Sequence, residues 1–292
     1  MPPHLAKCSA PDGSNGMQWL EAEGHDRTSI DLPAEQHALA TAVLALGKPT
    51  AIFTLNGGMV ALEAEMAHTN TPALIEAFYP GAEGGRALAD ALFGVTNSWG
   101  KLPYTIYPAA WVNTTSMLDH DVQHGRGRTY RYARDPVLFP FGRGLSYTTF
   151  DVALGAAPPP QGWRLPTDAA AALNLSVVVT NRGARAGDEV VQAYFAPLAL
   201  TPPLANQPRK ALWAFERVRG LAAGASARVD FALSARDLQL ADVDGSLVVC
   251  AGRYNLTFEN GAGAVAAHVV ELTGATVVVE PFPKPPPSSA SW

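Results

Sequence analysis

Few side chains in this sequence have both the type and the setting for catalysis. Glu83 stands in a glycine-rich loop, Pro80-Gly81-Ala82-Glu83-Gly84-Gly85, and Glu21, Glu23, Asp26 and Arg27 form a dense polar cluster ahead of Leu32-Pro33. Either could supply a general acid, provided that burial or a neighbouring charge lifts a carboxyl toward working pH. Each also has a plainer reading. The cluster could be a capping region with an Asp26–Arg27 ion pair, and Glu83 a carboxylate favoured at a helix start by the dipole. His25, His37, His68, His120 and His124 lack metal-ligand spacing, and Cys8 and Cys250 are too few for a disulfide framework or a zinc site. No G-x-S-x-G nucleophile motif occurs; Gly144-Leu145-Ser146-Tyr147 lacks the strand-turn-helix context of such an elbow. A zinc site is not expected.

Grammar along the chain shows which elements must position these groups. Pro33 precedes a helical run that stops at Gly47; residues 50–55 (TAIFTL) read as a buried strand ended by Asn56-Gly57-Gly58. A second helix is expected over residues 60–68, a second strand over 73–79 and a third helix over 84–93, stopped by Gly94. Helix and strand alternating through short loops is the pattern of a parallel sheet flanked by helices, which binds ligands outside the carboxyl ends of its strands. The 56–58 and 80–85 loops fall at such ends, and each leads into a helix whose free N–H groups favour oxygen-rich ligands.

From Gly144 the pattern becomes all-β. Runs at residues 173–181, 189–195, 227–233, 246–250, 253–258 and 267–272 are separated by Gly, Asn, Pro and Asp, as in a β-sandwich. A Pro-rich stretch at 156–167 reads as a surface excursion, and the tail from Pro281 as a disordered end. The expected organisation is an unmatched segment 1–20, a partial α/β sandwich over 21–143, a β-sandwich over 144–280 and the tail 281–292.

Composition narrows the partners. Of 292 residues, 16% are charged, and 26 acidic side chains outnumber 21 basic ones, so a basic nucleic-acid face is not expected. The Arg-rich stretch Gly125 to Tyr132 reads instead as ion pairs and aromatic packing at a domain junction. No window approaches the roughly 20 apolar residues of a membrane helix, so no membrane partner is expected. No signal-peptide pattern opens the sequence, while sequons at Asn113, Asn174 and Asn255 are N-glycosylation candidates.

Several segments together resemble the C-terminal portion of glycoside hydrolase family 3, the β-glucosidase and β-xylosidase family. They are Glu23-Gly24-His25-Asp26-Arg27, Gly47-Lys48-Pro49, Tyr79-Pro80-Gly81-Ala82-Glu83-Gly84-Gly85, Ala91-Leu92-Phe93-Gly94, Gly100-Lys101-Leu102-Pro103, Gly127 to Tyr132 and Phe139 to Thr148. Val179 to Gly183, Gly187 to Gln192 and the 208–218 stretch resemble that family's fibronectin type III-like module. The resemblance implies an α/β domain followed by a fibronectin type III-like β-sandwich. It also implies a retaining glycosidase of β-xylosidase or β-glucosidase type, acting on a β-linked oligosaccharide or glycoside through two carboxylates about 5–5.5 Å apart, with no metal and no organic cofactor. In the family the nucleophile is an aspartate on an N-terminal barrel and the acid/base is a glutamate of the α/β domain, which corresponds here to Glu83. No barrel precedes Glu21, so the expectation is a fragment of a larger enzyme, inactive alone, with the barrel as its partner in cis or in trans. An extracellular, cell-wall or vacuolar location follows from the family. The alternative function is a non-catalytic module that binds carbohydrate or a partner.

Overall fold

The structure, a computed structural model, describes Gly24 and residues 26–70, 73–155, 163–167 and 172–283. Glu21, Glu23, His25, Cys8 and the tail from residue 284 lie outside the described residues. The chain divides into two compact units, one of residues 1–81 and 106–120, the other of residues 82–105 and 121–292.

The first unit holds helix α1 (Ala34–Leu44), strand β1 (Ala51–Thr54), helix α2 (Glu63–Ala67), strand β2 (Ala73–Glu76) and a 3-10 turn at Ala109–Asn113. β1 and β2 pair in parallel, Ala51 opposite Ala73, in the βαβ order expected from the sequence. The expectation of a buried β1 is corrected: its burial alternates between exposed and half-buried, and Phe53 is 46% exposed. Two strands cannot enclose both of their faces, so an apolar run that would be core in a wider sheet stays at the surface here. The unit's small core lies elsewhere, in Leu44, Val60, Ala61, Leu62, Ile106 and Trp111, with Tyr107 stacked on Trp111 at 4.3 Å. Val60 to Leu62 belong to a buried connection rather than to α2, which starts three residues later than expected. Buried Glu65 meets His37 Nδ1 at 2.7 Å, and Glu63 Oε2 accepts the Ala109 N–H at 2.7 Å, which ties the 3-10 turn to α2.

The second unit begins with helix α3 (Gly84–Leu92), carries the short helix α4 (Thr129–Tyr132), and is dominated by strands. These are β3 (Phe150–Leu154), β4 (Trp163–Pro166), β5 (Leu173–Asn181), β6 (Gly187–Thr201), β7 (Ala211–Leu221), β8 (Ser226–Leu233), β9 (Leu240–Ala241), β10 (Leu247–Val249), β11 (Ala251–Glu259), β12 (Val265–Thr273) and β13 (Val277–Glu280). A five-stranded sheet, β4-β12-β11-β6-β7, faces a three-stranded one, β3-β5-β8, and β13-β10-β9 forms a third. Strict alternation along β5 and β11 sends Val177, Val179, Tyr254, Leu256 and Phe258 into a dry interior, where Trp213 of β7 meets Phe231 and Phe258 edge-on.

Two loop readings change. Trp163–Pro166 is not an excursion: it adds to β12 in parallel as an edge strand, a place where proline's missing donor is tolerated. The described start of the tail is ordered, with Phe282 N–H donating to Ser246 Oγ at 3.0 Å.

Residues 95–105 and 121–149 run as a strap over the five-stranded sheet. Lys101 Nζ meets Glu189 Oε1 of β6 at 2.6 Å, with the two side chains 8% and 3% exposed. Glu189 also accepts from Asn260 Nδ2 at 3.0 Å and from the Val190 N–H at 2.8 Å. Leu102 exchanges backbone hydrogen bonds with Gly142 and Arg143, joining the two passes of the strap. Gly142 has φ +83°, and a Cβ there would strike Gln192 and Tyr194.

Losing one partner of a buried ion pair strands the other charge. Lys101→Met is therefore expected to lower unfolding free energy by about 3 kcal/mol in urea titrations, and adding Glu189→Leu to recover part of that loss. Equal destabilisation by the single and double variants would contradict this. A second expectation concerns His268 on β12, which is 5% exposed, with Nε2 unpartnered among the described residues and its imidazole pushed down by burial. Above about pH 6.5 the ring is neutral both folded and unfolded, so it adds no pH dependence. Below that, only the unfolded chain takes up the proton, and stability falls by up to about 1.4 kcal/mol per pH unit until the depressed native value is reached. Between pH 7.5 and 5.5 wild type should lose about 1 kcal/mol more than His268→Met. Parallel losses would contradict the assignment.

Candidate active site

The loop before α3 turns sharply at Gly81, with φ +72°, a backbone conformation that glycine adopts without a Cβ clash. Glu83 follows at the N-cap of α3, its own carbonyl accepting the Ala87 N–H at 3.0 Å. The Glu83 side chain is exposed and makes no capping hydrogen bond. The carboxylate thus stands beside the free N–H groups and positive dipole end of the helix without being used by them. Gly84, buried, and Gly85 leave the helix start without bulk beside the carboxylate. The loop from Pro80 to Gly85 carries this single acid.

The far end of α3 is closed by a Schellman turn: Gly94 N–H donates to Ala91 O at 3.1 Å and Val95 N–H to Asp90 O at 2.8 Å, with Gly94 at φ +71°. The sequence marks the stop at Gly94 but not what lies against it. Tyr147 Oη donates to Leu92 O at 3.2 Å, and Arg185 Nη2 donates to Gly94 O at 2.6 Å. The latter contact spans 91 residues, and its only local trace is the Asn181-Arg182-Gly183 turn that precedes Arg185.

Each of the other candidates raised by the sequence has its own setting. Arg27 donates to Met59 O at 2.7 Å within the first unit, and Asp26 is exposed. The Arg-rich stretch packs as a structural element: Tyr130 stacks on Phe141 at 4.3 Å and meets Tyr194 edge-on, while Arg126 pairs with Asp135 at 3.0 Å. Cys250 is buried and unbonded to another cysteine. Of the sequons, Asn113 and Asn174 are exposed, whereas Asn255 is half-buried in a strand paired on both sides.

The chain thus carries a parallel βαβ unit, a glycine-rich loop with one exposed carboxylate, and a two-sheet β-sandwich. Residues 12–147 match the glycosyl hydrolase family 3 C-terminal domain, and residues 189–261 match the fibronectin type III-like domain. The chain belongs to glycosyl hydrolase family 3, as the C-terminal portion of its sequence pattern. It is 37% identical over 252 residues to the xylan 1,4-beta-xylosidase of Xylanibacter ruminicola, covering 86% of this chain and 27% of that protein. Among solved structures it resembles a family 3 exo-beta-xylosidase held in complex with a xylobiose aziridine probe, with TM-score 0.80, 28% identity, and coverage of 90% of this chain and 36% of that one. The beta-glucosidase of Kluyveromyces marxianus in complex with glucose matches with TM-score 0.74, 29% identity, and coverage of 90% and 31%. The chain spans about a third of the length of the curated relatives it matches.

Proposed function

We propose that the chain supplies the acid/base half of a retaining glycoside hydrolase acting on β-xylosides or β-glucosides of plant-type oligosaccharides, with Glu83 as the acid/base. The observation that carries the reading is the exposed Glu83 carboxylate, which makes no capping bond at the helix start it occupies. In the first step the Glu83 carboxyl donates its proton to the glycosidic oxygen as the C–O bond breaks. A carboxylate on a barrel, the part of the family pattern ahead of this chain, forms the glycosyl-enzyme ester. In the second step Glu83, now a carboxylate, takes a proton from water as the water's oxygen bonds to the anomeric carbon and releases the enzyme carboxylate. In this scheme the barrel supplies the nucleophile, and hydrolysis needs both halves. Similarity to xylosidases over most of its length favours the xyloside.

The leaving group provides the test, in the barrel-bearing polypeptide that contains this sequence. Glu83→Ala should cut kcat on xylobiose by about a hundredfold or more. It should change kcat/KM on a 2,4-dinitrophenyl β-xyloside by less than about tenfold, because that leaving group departs without a proton, while kcat falls because the second step has lost its base. Azide should restore turnover with a β-xylosyl azide as product. Stability should stay within about 0.5 kcal/mol of wild type, since the side chain is exposed. Near-normal hydrolysis of xylobiose by the variant would overturn the assignment.

A further inference from the structure

We propose that Asn56 is a site of spontaneous covalent modification: its side-chain amide converts to a carboxylate, as aspartate and isoaspartate, through a cyclic imide formed with the Gly57 nitrogen, while the fold protects the matching amide of Asn260.

Two Asn-Gly pairs lie among the described residues, Asn56-Gly57 after β1 and Asn260-Gly261 after β11, whereas Asn15-Gly16 falls outside them. A following glycine matters for two reasons. It has no Cβ to shield its backbone nitrogen, and its freedom of φ and ψ lets the chain reach the conformation in which that nitrogen meets the asparagine Cγ. Water and a base are the other reactants. The base removes the Gly57 amide proton, the nitrogen bonds to Asn56 Cγ, and the Cγ–Nδ2 bond breaks as ammonia leaves with a proton from solvent. Water then opens the imide ring. Attack at the side-chain carbonyl gives aspartate, and attack at the main-chain carbonyl gives isoaspartate, whose backbone runs through the side-chain carbon. In sum, one amide and one water become one carboxylic acid and one ammonia, with no change of oxidation state.

The two pairs are alike in sequence and differ in what holds them. Asn56 is half-buried beyond the carboxyl end of β1, a strand of four residues paired on one side with β2. Its Nδ2 donates to Gly58 O at 2.5 Å, and its Oδ1 is buried without a partner among the described residues. A single short-range hydrogen bond restrains the side chain, and the unpartnered oxygen raises the starting conformation by about 1–3 kcal/mol. Gly57 is exposed, and the Tyr79 ring against its open side is itself 66% exposed, so a surface side chain is all that must give way when the loop turns.

Asn260 is caged. It is 1% exposed, its Oδ1 accepts the Ala262 and Ala264 N–H groups at 3.0 and 3.1 Å, and its Nδ2 donates to Glu189 Oε2 at 3.0 Å. Gly261 has φ +67°, and a Cβ there would overlap Gly142 O of the strap. Closing the imide would break these three hydrogen bonds and lift the strap, so the amide reacts from an opened state. The network around Glu189 thereby preserves its own donor, since a carboxylate at position 260 would face that of Glu189.

At position 56 the outcome is an open turn. The nitrogen that closes it departs as ammonia, and a carboxylate oxygen in its place meets the Gly58 carbonyl oxygen with no proton to share. One negative charge is added to a chain whose formal net charge is already −5.

Peptide mapping of the full chain tests the proposal. The protein is held in mildly alkaline buffer, folded or unfolded in guanidinium chloride, and digested at intervals in mild acid, where the reaction is arrested. Electron-transfer fragmentation locates each amide-to-acid change and separates isoaspartate from aspartate. The unfolded sample supplies the intrinsic rate at each pair. In the folded chain, conversion at Asn56 should run within about tenfold of that rate, quicken with rising pH and yield more isoaspartate than aspartate, whereas conversion at Asn260 should be slowed by about a hundredfold or more. Asn56→Gln should nearly abolish conversion at that position, because the longer side chain must close a larger ring. Folding that slows Asn56 by more than about tenfold would overturn the proposal, and conversion of Asn260 as fast as that of Asn56 in the folded chain would overturn the protection.

Discussion

The buried contact between Lys101 and Glu189 is the interaction on which the larger unit depends. Two full charges with side chains 8% and 3% exposed have given up most of their hydration, and such a pair persists only with close geometry and with its remaining lone pairs filled. Asn260 and the Val190 amide fill those of Glu189. The pair is therefore a poor source of net stability and a strong source of specificity. A strap laid one residue out of register would bury Glu189 unpaired, at a cost of several kcal/mol. With Lys101 fixed, Leu102 pairs with Gly142 and Arg143, and Gly142 settles against Gln192 and Tyr194, where a larger residue would not fit.

From that register the neighbouring packing follows. Phe141 is presented to Tyr130 and Tyr194, and Lys210, paired with Glu259, lies 4.1 Å from the centre of the Tyr194 ring. Burial pushes the Tyr194 phenol up, so it stays neutral beneath that cation. Further along the strap, Trp99 meets Tyr147 edge-on at 5.9 Å, carrying the ordered packing to the end of α3. The glycine-rich loop is thus one helix length from a framework built by the β-sandwich.

Much of this is legible in the sequence where burial alternates cleanly. Leu173–Asn181 reads as a strand to the residue because every second side chain faces the core. β7 escapes because its edge position gives a run of mixed exposure carrying Glu216, Arg217 and Arg219, with no period of two to detect. β1 is recognisable as a strand but its burial is not: an apolar run reports a strand's affinity for a core, and the number of strands available decides whether it gets one. At the candidate site the sequence offers Glu83 in a glycine loop and leaves its capping role open; only coordinates show a carboxylate that caps nothing. The contact between Arg185 and Gly94 has no sequence signal, since the two are joined by folding across 91 residues and neither belongs to a local pattern that names the other.

Strap and sandwich form one cooperative structure through the Lys101–Glu189 contact, which fluorine NMR of the chain labelled with 5-fluorotryptophan can follow from both sides. Trp99 reports on the strap and Trp213 on the sandwich interior, their resonances assigned from Trp99→Phe and Trp213→Phe. Followed through a urea titration, the two native signals are predicted to disappear with the same midpoint, as coincident probes of one transition. Loss of the Trp99 signal at clearly lower urea, with Trp213 still native, would show a strap that merely rests on the sandwich and would contradict the account.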